Sequence, residues 1–322
     1  MGTFRYAILG AAKIGAKFCQ AVSLAHDCEV CAVASKSLER AEEFARKNGV
    51  SHYYGSYEEM LREEKPDCAY IAVTPHDHYR LAVMCVEMGI PVLCEKAMFQ
   101  DSAEAESLYA AAKEKNVFVM EAMWSRFLPP VKQVKSWVEE GRIGIPQIAR
   151  MAIGFRAPEG AENRYFNPRL GGGAAKDITV YAYEITTFIL NQEIRNMAVS
   201  ASWGETGVDT NNHISIDFTD TLADLATSFV TNMEDRLELY GKEGRIILPG
   251  PHHSSECFLY DNGGNLVEHF VDTETKNGFV YEIEEAVRCI REGKLESPVI
   301  PWKDTLDCAR LFDRIAATKE QG

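Results

Sequence analysis

The segment AILGAAKIGAKF puts Gly10 and Gly15 in the outer places of a G-x-G-x-x-G turn, with Ala12 where the middle glycine belongs. Such a turn at the mouth of a helix lets backbone approach a pyrophosphate, and the free N–H groups and dipole of the helix N-terminus favour the anion. Alanine is the smallest side chain that can replace the glycine, so Gly10, Ala11, Ala12, Lys13 and Ile14 are read as a dinucleotide-binding stretch. Twenty residues on, the run VASKS places Ser35 where an acidic residue would hold a ribose 2′-hydroxyl. Lys36 and Arg40 add two cations, and Ser35 and Ser37 two hydroxyls, a set suited to a 2′-phosphate. NADP is therefore expected in preference to NAD. Further along, Glu95 and Lys96 stand at the carboxyl end of a strand-like run, the edge where open parallel sheets bind ligands. A lysine there can hold a substrate oxygen beside a nicotinamide.

The elements needed to position these groups are legible in the first third of the chain. Short apolar runs at Phe4 to Leu9, Glu29 to Ala34, near His52, Cys68 to Val73, Pro91 to Cys94 and Val117 to Glu121 alternate with helical patterns, as in a doubly wound parallel sheet. Ile14, Phe18, Ala21, Val22 and Ala25 trace one apolar face at the helical period. Ser56 with Glu59, and Asp101 with Glu104, have capping-box spacing, while Gly49 and Gly89 sit where helices stop. After Met120 the rhythm changes. A helix from Pro130 to Glu140 leads to a strand from Gln147 to Arg156 and a helix from Ala174 to Leu190; alternating strands then fill Ile194 to Asp272. Helices over 279–292 and 303–318 close the chain. The fold class expected is α/β: a Rossmann domain over 1–121, then an α+β domain over 122–322 with a large, mainly antiparallel open sheet for substrate binding and self-association. Its C-terminal helix is able to pack back on the first domain.

Composition narrows the partners. With 34 Lys and Arg against 48 Asp and Glu, the net charge of −14 repels nucleic-acid backbones and anionic lipid. MGTFRYAILG lacks the regions of a signal peptide, no apolar run is long enough to span a bilayer, and Tyr6 breaks the myristoylation pattern at Gly2. A cytoplasmic protein is expected. Nine scattered cysteines fit reduced thiols, and Cys28 and Cys31, three apart in a strand, should face opposite ways. The pair His252-His253 lacks further ligands at zinc-like spacing, so no metal is expected.

Taken together, VTPHDHYRLAVMCVEMGIPVLCEKA, the fingerprint, GGGAAKDITVY and GKEGRI resemble the glucose-fructose oxidoreductase and inositol dehydrogenase (Gfo/Idh/MocA) family over nearly the whole chain. MEAMWSRFLPP and the tyrosine of DITVY look closest to its dimeric dihydrodiol dehydrogenase and NADP-linked xylose dehydrogenase branch. The resemblance implies that Lys96 of Glu95-Lys96 is the catalytic lysine, with Ala97 in place of the family's proline. It implies that Thr74, Pro75, His78 and Glu95 lie along the cofactor, and that Trp124, Arg126 and Phe155 line the nicotinamide and substrate pocket. Lys176 and Thr179 depart from the family pattern, which has an apolar residue and a glycine there.

Oxidising an alcohol by hydride loss requires a group to take the hydroxyl proton, and carbonyl reduction requires its return. Asp177 and Tyr181, four apart, share one helical face. Tyrosine's reference pKa, near 10, is too high for a neutral-pH base, and an ammonium such as that of Lys96 lowers it. Tyr181 is accordingly read as proton donor and acceptor, Lys96 as its electrostatic partner, and Asp177 as orienting the lysine or binding a substrate hydroxyl. Lys96, Trp124, Phe155, Asp177 and Tyr181 make up the expected substrate site. The expected protein is an NADP-dependent oxidoreductase of a sugar, polyol or trans-dihydrodiol, homodimeric through the open sheet. The competing reading is a dinucleotide-binding regulator without catalysis.

Overall fold

The computed structural model describes residues 2–321. Strands β1 (Phe4–Leu9), β2 (Cys28–Ala34), β3 (His52–Tyr54), β4 (Cys68–Ile71), β5 (Val92–Glu95) and β6 (Val119–Ala122) pair in parallel in the order β3-β2-β1-β4-β5-β6. All residues of β4, β5 and β6 are buried, as both faces of a parallel sheet must be. Helices α1 (Lys13–Val22), α2 (Leu38–Asn48), α3 (Tyr57–Glu64), α4 (His78–Glu87) and α5 (Ser102–Lys115) make the connections. The strand order reverses between β1 and β4, which is where the glycine turn lies.

Local signals set the helix ends. Ser56 Oγ accepts the Glu59 N–H at 3.3 Å, and Asp101 Oδ1 accepts that of Glu104 at 2.9 Å. Glu104 in turn accepts the Gln100 N–H at 2.7 Å, one residue before the cap, and Gly49 and Gly89 turn left-handed at φ 71° and 72°. Between β1 and β2 the register slips: Tyr6 pairs with Val30 and Ala7 with Ala32, so Cys31 is passed over, and its thiol donates to Tyr6 O at 3.2 Å. Cys28 and Cys31 are two separate free thiols, the first half-buried and the second buried.

The chain divides into two compact units. The first holds the stretch to Trp124 together with Asn277–Ala309; the second holds Ser125–Lys276 and the residues from Arg310 onward. Residues 277–309, assigned from sequence to the second domain, thus return to the first. The reason is the amphipathic helix α8 (Phe279–Arg291). Its buried face of Phe279, Glu282, Ile283, Ala286 and Val287 packs in the first unit, where Ile283 O accepts the Tyr6 hydroxyl at 3.1 Å. In the closing helix α9 (Trp302–Ala317), Trp302 stacks on Tyr109 at 4.8 Å and donates its indole N–H to Val119 O at 2.8 Å.

In the second unit an eight-stranded sheet forms from β7 (Pro146–Gly154), β8 (Ile194–Trp203), β9 (Asp209–Phe218), β10 (Leu222–Ser228), β11 (Arg236–Gly241), β12 (Gly244–Pro249), β13 (Glu256–Asp261) and β14 (Leu266–Val271). Its order is β14-β13-β12-β11-β7-β10-β9-β8, antiparallel except between β7 and β10. Helices α6 (Pro129–Glu139) and α7 (Val180–Leu190) pack on one face. On the other, Ile148 and Leu222 are paired neighbours, 36% and 57% exposed. The helix expected from Ala174 starts with a π-helical turn, Ala175–Thr179, before α7.

Candidate active site

Gly10 has φ 122°, and a Cβ on it would stand 2.5 Å from Ala72 O, so the turn admits no side chain there. A Cβ on Gly15 keeps only 3.2 Å from Gly10 O and 3.3 Å from the Phe44 ring. Ala12, the N-cap of α1, makes no side-chain hydrogen bond, which leaves the first N–H groups of the helix without a side-chain cap. These features fit a bound pyrophosphate: a close backbone turn at the sheet's switch point, aimed by a helix N-terminus.

At the end of β2 Ser35 is buried, and its Oγ accepts the Ser37 N–H at 3.3 Å. Lys36 and Arg40 are exposed. Lys36 Nζ pairs with Asp77 Oδ2 at 2.7 Å, and Arg80 engages the same carboxylate at 3.0 Å. Burial raises the Asp77 pKa, and the bonds from Lys36 and Arg80 outweigh it, so the carboxylate titrates below its usual range. Arg80 is a cation that the sequence reading missed. Its signal was spacing: three residues beyond Asp77, it reaches back over one helical turn.

Lys96 follows β5 directly and is half-buried, and its peptide bond to Ala97 is cis. His78, expected along the cofactor, has no exposed surface. Its Nδ1 faces Ala97 O at 2.9 Å and its Nε2 faces Val73 O at 3.0 Å, so the ring ties the turn after β5 to the segment after β4. Burial lowers its pKa, against the pull of both carbonyls. Thr74 stands just before the short 3-10 turn that opens at Pro75, and its hydroxyl contacts His76 Nδ1 at 3.0 Å rather than capping the turn.

Glu95 is buried and accepts the Tyr70 hydroxyl; burial raises its pKa, opposed by that bond and by Lys96. Three neighbours escaped the sequence reading. The Lys17 ammonium lies 4.5 Å from the Trp124 ring centre and 4.3 Å from that of Phe279, and burial lowers its pKa. Glu282 has no exposed surface, and neither carboxylate oxygen has a hydrogen-bond partner among the described residues. Burial holds its carboxyl protonated well above the ordinary range, reinforced by the charge of Glu95 and opposed by Lys17. Lys17 stands four residues beyond Lys13 on α1, a helical repeat that could have marked it.

In the second unit Tyr181 lies one helical turn beyond Asp177 and keeps 8% exposure. One partner of Asp177 is Arg164, whose two terminal nitrogens each stand 3.5 Å from a carboxylate oxygen. Arg164 also stacks on Tyr165 at 4.1 Å, and Tyr165 meets Phe155 edge-on at 5.5 Å. The π-helical turn is held from below. Asp209 Oδ2 accepts the Ala175 N–H and the Asn212 amide, both at 2.6 Å. Asn212 donates on to Thr179 Oγ1 at 3.1 Å, and that hydroxyl meets Thr227 Oγ1 at 2.7 Å. Gly173 permits this carboxylate, since a Cβ there would stand 2.2 Å from Asp209 Oδ1. Thr179, which departs from the family pattern, is thus built into the support. Arg126, expected at the nicotinamide, is fully buried and paired with Glu184 at 2.5 Å. The ring of His252 lies 5.2 Å from that of Tyr181.

Residues 4–123 match the model of an oxidoreductase family with an NAD-binding Rossmann fold, and residues 131–247 match the GFO/IDH/MocA C-terminal domain. The chain is 30% identical to trans-1,2-dihydrobenzene-1,2-diol dehydrogenase of Xenopus laevis, over 96% of both chains. It is 30% identical to D-xylose 1-dehydrogenase (NADP(+)) of Hypocrea jecorina, over 94% of this chain and 89% of that one. Aldose-aldose oxidoreductase from Caulobacter crescentus, solved with glycerol, shares the fold at a TM-score of 0.89 with 20% identity, covering 99% of this chain and 98% of the other.

Proposed function

We propose that this chain, which belongs to the GFO/IDH/MocA oxidoreductase family, is an NADP-dependent dehydrogenase or reductase acting on a carbinol or carbonyl carbon of a sugar, polyol or trans-dihydrodiol. The observation that carries this reading is Tyr181, buried but for 8% of its surface, one turn beyond Asp177 on a helix start braced by Asp209. Hydride transfer is the chemistry that the dinucleotide supplies when bound. In oxidation the Tyr181 hydroxyl receives the proton of the substrate hydroxyl; in reduction it returns it. The Lys96 ammonium holds the substrate oxygen and favours the phenolate. Asp177, bonded to Arg164, offers an acceptor for a further hydroxyl.

Gly10 to Ile14 seat the pyrophosphate, and Ser35, Lys36 and Arg40, joined by Arg80, receive the 2′-phosphate in this reading. The dihydrodiol and NADP-linked xylose dehydrogenases support the substrate class and the cofactor by likeness. His78 is assigned to holding the Lys96–Ala97 turn, and Arg126, with Glu184, to fixing the start of α6 against α7 rather than to contacting the cofactor. Self-association is assigned to the open sheet face around Ile148 and Leu222. Nine free thiols, with Cys31 pushed to about 11 and Cys85 to about 12 by burial, suit a reducing cytoplasm.

The test is a panel of aldoses, inositols and trans-dihydrodiols followed at the nicotinamide absorbance with NADP and NAD. Turnover of at least one class with NADP preferred is the expected result. Tight NADP binding without turnover on any of them overturns the assignment in favour of a dinucleotide-binding regulator.

A further inference from the structure

Asp77 holds two cations at once, and the strand order decides what their contact spans. Lys36 stands two residues past β2, and Asp77 closes the 3-10 turn Pro75–Asp77 that follows β4. β2 and β4 flank β1 in the sheet, so the 2.7 Å pair of Lys36 Nζ with Asp77 Oδ2 passes across the exit of β1, where the turn at Gly10 begins. Arg80 approaches the other oxygen, with Nη2 3.0 Å and Nε 3.2 Å from Oδ1. His76 Nε2 stands 3.6 Å from Oδ2, and its Nδ1 is turned to the Thr74 hydroxyl at 3.0 Å.

Exposure sorts these groups. The Asp77 side chain is 13% exposed, whereas those of Lys36 and Arg80 are 66% and 56% exposed. The carboxylate is the enclosed member, and the cations are what solvent meets. An ammonium has three N–H donors and a guanidinium five, so each retains donors for a second anion. A 2′-phosphate arriving here meets two positive charges that already have a negative charge between them, and it must share them or draw them off. A ribose with a free 2′-hydroxyl carries no charge for Asp77 to repel. The carboxylate therefore weakens one cofactor and is indifferent to the other. It also spares two long side chains part of the rotamer entropy that phosphate binding would cost. Asparagine would keep an accepting oxygen for that second purpose and lose only the charge.

We propose that Asp77 is a specificity-determining residue: a built-in counter-ion that competes with the cofactor's 2′-phosphate for Lys36 and Arg80, and so limits the preference for NADP over NAD. This rests on the reading above that places the 2′-phosphate at Lys36, Arg40 and Arg80, and names what tunes that site.

Binding of NADP, NAD, 2′,5′-ADP and 5′-AMP is measured by calorimetry at pH 8, where a phosphate monoester is a dianion. The two adenosine fragments read the 2′-phosphate without the nicotinamide, so the result does not depend on hydride transfer. Asp77→Asn should tighten NADP and 2′,5′-ADP about fivefold, the scale of one exposed ion pair, and leave NAD and 5′-AMP within twofold of wild type. Asp77→Ala, the second variant should the first fold poorly, has the same expected sign. NADP bound no more tightly by the Asp77 variants than by wild type, while Lys36→Ala or Arg80→Ala weakens it, makes Asp77 a support for the cations and overturns the proposal. Equal tightening of all four ligands makes Asp77 a bar across the cleft and overturns it too. If neither Lys36→Ala nor Arg80→Ala changes the ratio of NADP to NAD affinity, the 2′-phosphate lies elsewhere, and that reading falls together with the role of Asp77.

Discussion

At the scale of single residues the reading reduces to oxygen and charge. Tyr181→Phe deletes one oxygen from a side chain that is otherwise packed into its helix, so folding and cofactor binding should survive. Turnover should fall by about 10²- to 10⁴-fold, the usual contribution of a positioned proton donor, while NADPH fluorescence titrations match wild type. Near-normal turnover removes Tyr181 from the chemistry. Ser35→Asp addresses the other end of the cofactor. A buried acid beside the Lys36, Asp77 and Arg80 cluster repels a 2′-phosphate and can accept from a 2′-hydroxyl. The ratio of kcat/KM for NADP over NAD should fall by at least about tenfold, equivalent to 1.4 kcal/mol. An unchanged ratio places the phosphate elsewhere.

The element that matters most is the junction of the π-helical turn with α7, because it sets where Asp177 and Tyr181 sit. Asp209 takes two hydrogen bonds there while burial raises its pKa, so the carboxylate is held by geometry at an electrostatic cost. Asp209→Ala leaves the Ala175 N–H and the Asn212 amide without that acceptor, at about 1–3 kcal/mol for each unsatisfied group. Urea unfolding should show the variant less stable by about 2–4 kcal/mol, and kcat should drop more than the KM for NADP rises. Full stability with full kcat would mean that the turn holds itself.

Across the molecule, pH and association carry the consequences of burial. Glu282 binds a proton on folding, because its folded pKa lies far above the unfolded value near 4.3. Its contribution is fully present below the unfolded pKa and is lost as pH rises toward the folded one. Glu282→Gln removes that loss, so its melting temperature relative to wild type should be more favourable at pH 8 than at pH 5. Equal differences at both pH values contradict a protonated Glu282. Glu95 shifts in the same direction and keeps part of the slope in the variant. The open sheet face predicts a dimer by light scattering, and a charge at Leu222, whose paired neighbour is Ile148, should shift it toward monomer. A Leu222→Lys protein that stays dimeric moves the interface off this face.

Sequence by itself determined the features governed by neighbours along the chain. The glycine turn, the caps at Ser56 and Asp101, the six-strand alternation and the strand-end position of Lys96 are consequences of local sterics and period. Tertiary structure alone decided what meets across distance. It returned residues 277–309 to the first unit, since an amphipathic face does not say which core it joins. It gave Asp177 to Arg164, laid His252 on Tyr181, and enclosed Arg126 with Glu184. It also left Glu282 buried beside Glu95 and Lys17. A charge shows its type in the sequence, but burial and partner, which set its pKa and its use, come from chain segments far away.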